Sequence, residues 1–211
     1  MSDNQRAEHW DRVYREKAPD QTSWYQEEPR LSLAMIARAG LEPAAAIIDI
    51  GGGRSLLADC LVATGFRQLS VLDISSSALE QARQRLPADA PVRWIVSDIA
   101  SYHPEQKFSL WHDRALFHFL TRPGDRDAYK MALRAALLPD AQLVIGTFAL
   151  DGPMRCSGLE VVRYDADSLA RELGSEFELI EQQDEVHLTP WGSEQHFCFC
   201  RFRYQGGVDA K

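Results

Sequence analysis

The chain has 211 residues, 31 of them acidic against 23 basic, for a formal charge of −8. No basic stripe is present to follow a phosphate backbone, so a nucleic-acid partner is not expected. The longest apolar run, LVIGTFAL, is far shorter than the ~20 residues of a membrane span, and the polar opening MSDNQRAEHW is unlike a secretory signal, so the reading is a soluble cytoplasmic protein with no membrane partner.

In chain order, EHWDRVYREK reads as a helix with Trp10, Val13 and Tyr14 on one face, of which Trp10 and Val13 look like core. PRLSLAMIARAG is a second helix, with Pro29 suited to its first turn and Gly40 to its end. The polar link between them carries Trp24 and Tyr25. AAAIIDI, rich in β-branched residues, predicts a strand buried on both faces, and LLADCLVATG a helix stopped at Gly65. Strand LSVLDIS follows, then helix SSALEQARQRL, capped by Ser75 or by Ser77 with Glu80 completing a capping box. VRWIVSDI and KFSLWHD are two more strands, DRDAYKMALRAALLP an amphipathic helix, QLVIGTF a fifth strand, and DADSLARELG a capped helix ended by Gly174. FELIEQQDEVHL and SEQHFCFCRFRY read as a strand hairpin about Thr189 to Gly192. The irregular ALDGPMRCSGLEVVRYDA leaves a strand C-terminus and is placed to roof a pocket. Alternation of strands and helices implies right-handed βαβ units and a mostly parallel sheet.

Three consecutive glycines, Gly51, Gly52 and Gly53, stand between the first strand and its helix, the context in which a tight turn approaches a ligand. Leu56 occupies the place of the third glycine in a dinucleotide fingerprint, which argues against a nicotinamide site. Asp49, just before the turn, puts a carboxylate where a pyrophosphate would lie, which suits a cationic head group better. Asp73 ends the next strand, close to the roughly 20-residue spacing of a ribose-binding acid.

These residues resemble the first motifs of the class I S-adenosylmethionine-dependent methyltransferases, with Ser55 where the last glycine of the turn usually stands. HWDRVY, SWYQ, WHDRALFHFL and TPWGSEQ extend the likeness from about Glu8 to Tyr204, to a group of small bacterial methyltransferases akin to protein-lysine and, more remotely, thiopurine and tellurite methyltransferases. The resemblance implies an α/β, Rossmann-like three-layer sandwich with a seven-stranded sheet in order 3-2-1-4-5-7-6, its last strand antiparallel. It implies one domain over 1–211, with residues 1–40 as an N-terminal helical lid and 44–204 as the core. S-adenosyl-L-methionine is the implied co-substrate: Asp49 and the glycine turn border its methionine part, Asp73 with Ile74 the ribose, and Asp98 with Ile99 the adenine. The methyl acceptor is expected to be a small molecule, with a protein lysine as the alternative.

Methyl transfer from a sulfonium is an in-line displacement that chiefly requires alignment, so a base is optional. His112, Asp113 and His118 are the candidates for one, with His118 ranked first; strand parity puts Trp111 and Asp113 on one side and His112 on the other, and a pocket-wall or capping histidine is the plain alternative for His118. Arg114 either touches the methionine end or pairs with Asp113, while Trp24 and Tyr25 either close over the cofactor or pack on the sheet. Arg155, Arg163 and His187 are candidates for an anionic acceptor, with plain surface charge the commoner reading. Cys198 and Cys200 share strand parity with His196 but read as small core residues, so no metal is expected. Two other classes fit the same pattern: an aminopropyltransferase, which would want more acids at the acceptor side, and a non-catalytic cofactor-binding protein.

Overall fold

The structure, a computed structural model, describes residues 3–206. Helices α1 (Asp3–Glu16) and α2 (Arg30–Arg38) precede an alternation of β1 (Ala46–Ile50), α3 (Leu57–Ala63), β2 (Gln68–Asp73), α4 (Ser76–Arg83) and β3 (Val92–Val96). Strand β4 (Phe108–Arg114), helix α5 (Pro123–Ala136) and strand β5 (Leu137–Phe148) follow. After a two-rung hairpin of β6 (Arg155–Cys156) and β7 (Leu159–Glu160) come α6 (Ala166–Leu173), β8 (Phe177–Leu188) and β9 (Glu194–Tyr204). The main sheet has seven strands in the order β3-β2-β1-β4-β5-β9-β8. Strands β1 to β5 run parallel, and β9 is antiparallel to both β5 and β8. With the small hairpin set aside, this is the expected 3-2-1-4-5-7-6 order.

Alternation along the central strands divides the core between the two faces of the sheet. Ile48, Ile50, Trp111, Leu143 and Ile145 face α5 and α6, where Tyr129, Leu133, Leu169 and Leu173 are buried. Ile47, Leu110, Val144 and Phe148 face α2 and α3, against Met35, Ile36, Leu57 and Leu61. Cys198 and Cys200 join the first cluster as small hydrophobes, their sulfurs 3.8 Å apart. No group of potential metal ligands forms among the described residues, and none of their helices is long and apolar enough to cross a membrane.

Three local expectations need correction. The cap of α4 is Ser75, whose Oγ accepts the Ala78 N–H, so Glu80 completes no capping box and instead accepts from Gln84. Helix α5 ends at Ala136, and Leu137 to Pro139 already belong to β5, because Leu137 pairs with Phe108 across a register irregularity in β4. The segment after β5 holds the β6/β7 hairpin, with Ser157 at φ 50° and Gly158 at φ 80° in its turn.

Candidate functional site

Beyond the C-terminal ends of the parallel strands lies a cavity bounded by the N-terminal segment, the usual ligand position in an open α/β sheet. Its floor is the glycine turn. Gly51 and Gly53 adopt φ of 65° and 52°, and the N–H groups of Gly51 and Gly52 both donate to the Leu72 carbonyl at 2.7 and 3.2 Å. A Cβ on Gly52 would stand 2.5 Å from Asp49 Oδ2 and 2.6 Å from Val71 Cγ1. The turn therefore folds back against the acid that precedes it.

Asp49 is held from below. His112 Nδ1 lies 2.7 Å from Asp49 Oδ1, and His112 Nε2 lies 2.8 Å from Ser32 Oγ on α2. Donation to the carboxylate assigns the ring proton to Nδ1, leaving Nε2 to accept from the serine hydroxyl. Both imidazole nitrogens are thus engaged. Strand parity put His112 opposite Asp113, but the link between α2 and the first acid had no signal in the sequence.

Asp73, one strand further out, is buried and accepts the Ser75 N–H at 2.8 Å through Oδ1. Burial pushes its carboxyl up to about 7, against the pull of the Ser75 and Gly53 N–H groups, and the nearby Asp49 and Asp11 charges add to the rise. Ser75 Oγ donates to Asp11 Oδ1 at 2.6 Å, and the same oxygen accepts the Ser77 N–H at 3.0 Å, which ties α1 to the start of α4. After β3, Asp98 accepts the Ala100 N–H through Oδ1 at 2.9 Å and pairs with Arg6 through Oδ2 at 2.7 Å. Arg6 also reaches Asp125 at 3.0 Å. Ile74 and Ile99 line the same end of the cavity.

Over the floor stands an aromatic group. Trp10 meets Trp24 at 5.7 Å and Phe119 at 5.1 Å, both edge-on, and Tyr14 meets Trp24 at 6.1 Å. Trp10 is therefore part of the cavity wall together with Tyr14, Trp24 and Tyr25, while Val13 is core as expected. Arg54, which sequence reasoning missed, locks this cover down: its guanidinium donates to the Lys17 and Ala18 carbonyls at 2.8 and 2.7 Å and lies over the Tyr14 ring at 5.2 Å.

Asp49, Gly51, Gly52, Asp73, Ile74, Asp98, Ile99, Trp24, Tyr25 and Arg114 thus meet at one cavity. Gly53 stands just behind it, its Cα hydrogen turned toward the Tyr14 hydroxyl. Asp113 and His118 do not line the cavity. Asp113 points to the opposite face of the sheet, where Oδ1 accepts the Leu116 N–H at 3.0 Å and Oδ2 the Tyr129 hydroxyl at 2.9 Å. Asp113 and Arg114 are adjacent in sequence but point apart, so they do not form the pair considered as an alternative. His118 is wholly buried, its ring 4.5 Å from that of Phe148, and its Nδ1 accepts the Phe148 N–H at 3.2 Å. Arg163 donates to the Gly152 carbonyl, His187 pairs with the Ser23 carbonyl and Arg155 is exposed, so none of these three faces the cavity.

Burial, reinforced by the Arg114 charge, lowers the His118 pKa to about 3. Between that value and the ordinary 6.5, the unfolded chain takes up a proton that the folded chain refuses. The contribution is complete above pH ~6.5 and is lost as pH falls toward 3. His118→Asn keeps an acceptor for the Phe148 N–H and removes the titration. Urea unfolding of the two proteins should therefore diverge in pH dependence, the wild type losing on the order of 3 kcal/mol more between pH 6.5 and 4. Parallel stability curves would show that this imidazole titrates normally.

Residues 47–139 match the family model described as a methyltransferase domain. Nodulation protein S of Rhizobium tropici is 26% identical over 124 residues, 57% of this chain, and the chain spans about half the length of that relative. Among solved structures, the fold is similar to one described under the conversion of a disulfide bond into a thioacetal group during echinomycin biosynthesis (TM-score 0.78, 20% identity, 97% of this chain and 93% of that one). It is also similar to the N-methyltransferase NodS of Bradyrhizobium japonicum WM9 in complex with S-adenosyl-L-homocysteine (TM-score 0.69, 18% identity, 97% and 99%). A third similar structure is the 1,6-didemethyltoxoflavin-N1-methyltransferase of Burkholderia thailandensis with bound 1,6-didemethyltoxoflavin and S-adenosylhomocysteine (TM-score 0.71, 18% identity, 97% and 91%).

Proposed function

We propose that this chain, whose residues 47–139 match the methyltransferase-domain model, is a class I S-adenosylmethionine-dependent enzyme that transfers a methyl group from S-adenosylmethionine to a small-molecule acceptor. The observation that carries the reading is the placement of Asp49, the glycine turn, Asp73 and Asp98 on successive strand ends along one covered cavity. The chain fits the donor. Asp73 takes the Ser75 N–H through Oδ1, and its remaining lone pairs suit the ribose hydroxyls. The Cβ-free turn lets the methionine part approach the backbone, and the faces of Trp10, Trp24 and Tyr14 suit a sulfonium.

When bound, the donor supplies an activated methyl group, so the chain's own work is to hold the acceptor in line and exclude water. Asp49, fixed by His112 and Ser32, presents a positioned acid to the donor's amino group. We assign no base to His118 or Asp113, since neither reaches the cavity, and His112 has no free nitrogen. The acceptor atom is then one that is nucleophilic as bound and releases any proton to solvent afterwards. A small acceptor is favoured over a lysine side chain because α1 and the Trp24 segment cover the cavity.

Calorimetric titration with S-adenosylhomocysteine tests the donor assignment, and absence of a binding signal would sink it. Asp73→Ala is expected to weaken that binding by roughly 1.5 to 3 kcal/mol, about ten- to a hundredfold, through loss of charge-assisted bonds. Because the ionised Asp73 is the better acceptor and its carboxyl sits at about 7, wild-type affinity should rise with pH through neutrality and level off above it. Asp73→Asn should bind weakly with no such slope. A slope retained in that variant would move the titrating group elsewhere.

A further inference from the structure

Arg114 leaves the end of β4 and is buried in the cavity wall, yet only part of its guanidinium is used. Nη1 donates to the Trp24 carbonyl at 3.0 Å, while the nearest carboxylate oxygen, Glu185 Oε2, is 3.9 Å from Nη2. Among the described residues no hydrogen-bond partner serves its Nε or its Nη2. Glu185 Oε2, itself buried without a hydrogen-bond partner, offsets the Arg114 charge as an ion pair at 3.9 Å but makes no hydrogen bond to the guanidinium, and its Oε1 is taken by Gln26 at 3.2 Å. The Phe197 ring lies 4.8 Å from the guanidinium carbon. Two adjacent N–H donors left dry in a buried wall carry an uncompensated desolvation penalty, and they form the side-on fork that matches a carboxylate.

Strand order says which ligand this fork serves. Asp98, Asp73 and Asp49 follow β3, β2 and β1, so the donor assignment of the preceding subsection takes the cavity up to the β1/β4 boundary. Arg114, Phe148 and Phe197 continue it across β4, β5 and β9, beyond the donor. Gln195, on β9, adds a buried Oε1 without a partner at the same end. The surrounding surface is aromatic.

We propose that the unpaired edge of Arg114 seats a carboxylate of the methyl acceptor, so that the acceptor is a small aromatic acid lying against Phe197. The proposal rests on the methyltransferase reading for the word acceptor, but the anion site is testable without it. The probes are benzoate and its neutral isostere benzamide, titrated calorimetrically into the protein with and without saturating S-adenosylhomocysteine. Benzoate is expected to bind at least about tenfold more tightly than benzamide. Arg114→Gln should remove that preference, and Arg114→Lys, which keeps the charge but not the fork, should retain only part of it. The readout in both variants is the ratio of benzoate to benzamide affinity referred to wild type, since Arg114 also anchors the Trp24 carbonyl beside the donor.

Equal binding of the two probes, or no benzoate binding up to about 10 mM, would overturn the proposal. So would an Arg114→Gln protein that loses S-adenosylhomocysteine affinity while keeping the preference for benzoate, since that would put the guanidinium on the donor's own carboxylate. Failure of wild type to bind S-adenosylhomocysteine, with the benzoate preference intact, would strike the donor assignment and leave the anion site standing.

Discussion

Gly51→Ala is expected to cost at least about tenfold in S-adenosylhomocysteine affinity and ~2 to 5 kcal/mol in stability. Two separate penalties add. At φ 65° an alanine carries the left-handed cost of ~1 to 2 kcal/mol. Its Cβ would also stand 2.7 Å from Leu116 Cδ1 and 2.8 Å from Leu116 Cβ. Leu116 cannot swing away cheaply, because its Cβ is fixed by a backbone whose N–H donates to Asp113 at 3.0 Å. The strain is relieved only by moving the turn, which rests on the Leu72 carbonyl, or by moving the loop after β4. Either shift alters the floor on which the donor lies. Chemical denaturation and calorimetry on the same preparation separate the two effects. Near-wild-type values for both would mean that the turn has slack the packing does not show.

Most of the architecture was legible because it rests on local patterns. Ile47, Ile48 and Ile50 are buried on both sides of the sheet, as a continuous β-branched run requires. The ends of α2, α3 and α6 fall at glycines with positive φ, Gly40, Gly65 and Gly174. Misplaced boundaries had tertiary causes: Leu137 and Leu138 have good helix propensity, yet Leu137 is a strand residue because Phe108 offers it a pairing edge. At the site, residue type and position at strand ends identified the acids. Orientation was harder. WHDRALFHFL places Asp113 and His118 near the cavity in sequence, but strand parity turns Asp113 with Trp111 to the α5 face, and the chain turns sharply through Ala115 at φ 67° before burying His118. Arg6 on Asp98, Arg54 on the end of α1, and His112 between Asp49 and Ser32 join residues 36 to 92 positions apart, and no local periodicity carries such pairings.

Asp113→Ala is expected to destabilise the protein by ~3 to 5 kcal/mol, lowering its melting temperature by about 10 °C, with a far smaller effect on the cavity's chemistry. The carboxylate is the hub of a dry network: it accepts the Leu116 and Phe117 N–H groups and the Tyr129 hydroxyl, which itself accepts from Trp111 Nε1 at 2.8 Å. Truncation strands three donors at once beneath α5. Burial lifts the carboxyl to about 6, while the Leu116, Tyr129 and Phe117 donors hold it from rising further. Since its folded pKa exceeds the ordinary 3.8, the folded chain holds a proton through the interval that the unfolded chain gives up, and its contribution weakens as pH rises from about 4 to 6. Asp113→Asn keeps one oxygen for the two backbone donors and leaves only the Tyr129 hydroxyl short of an acceptor, so it should cost about 1 to 2 kcal/mol. The order Ala worse than Asn, measured by urea unfolding at pH 7, follows from a positioning role in the turn that carries Arg114 and Leu116 to the cavity. A catalytic base would give a different pattern, with both variants folding like wild type and both losing turnover.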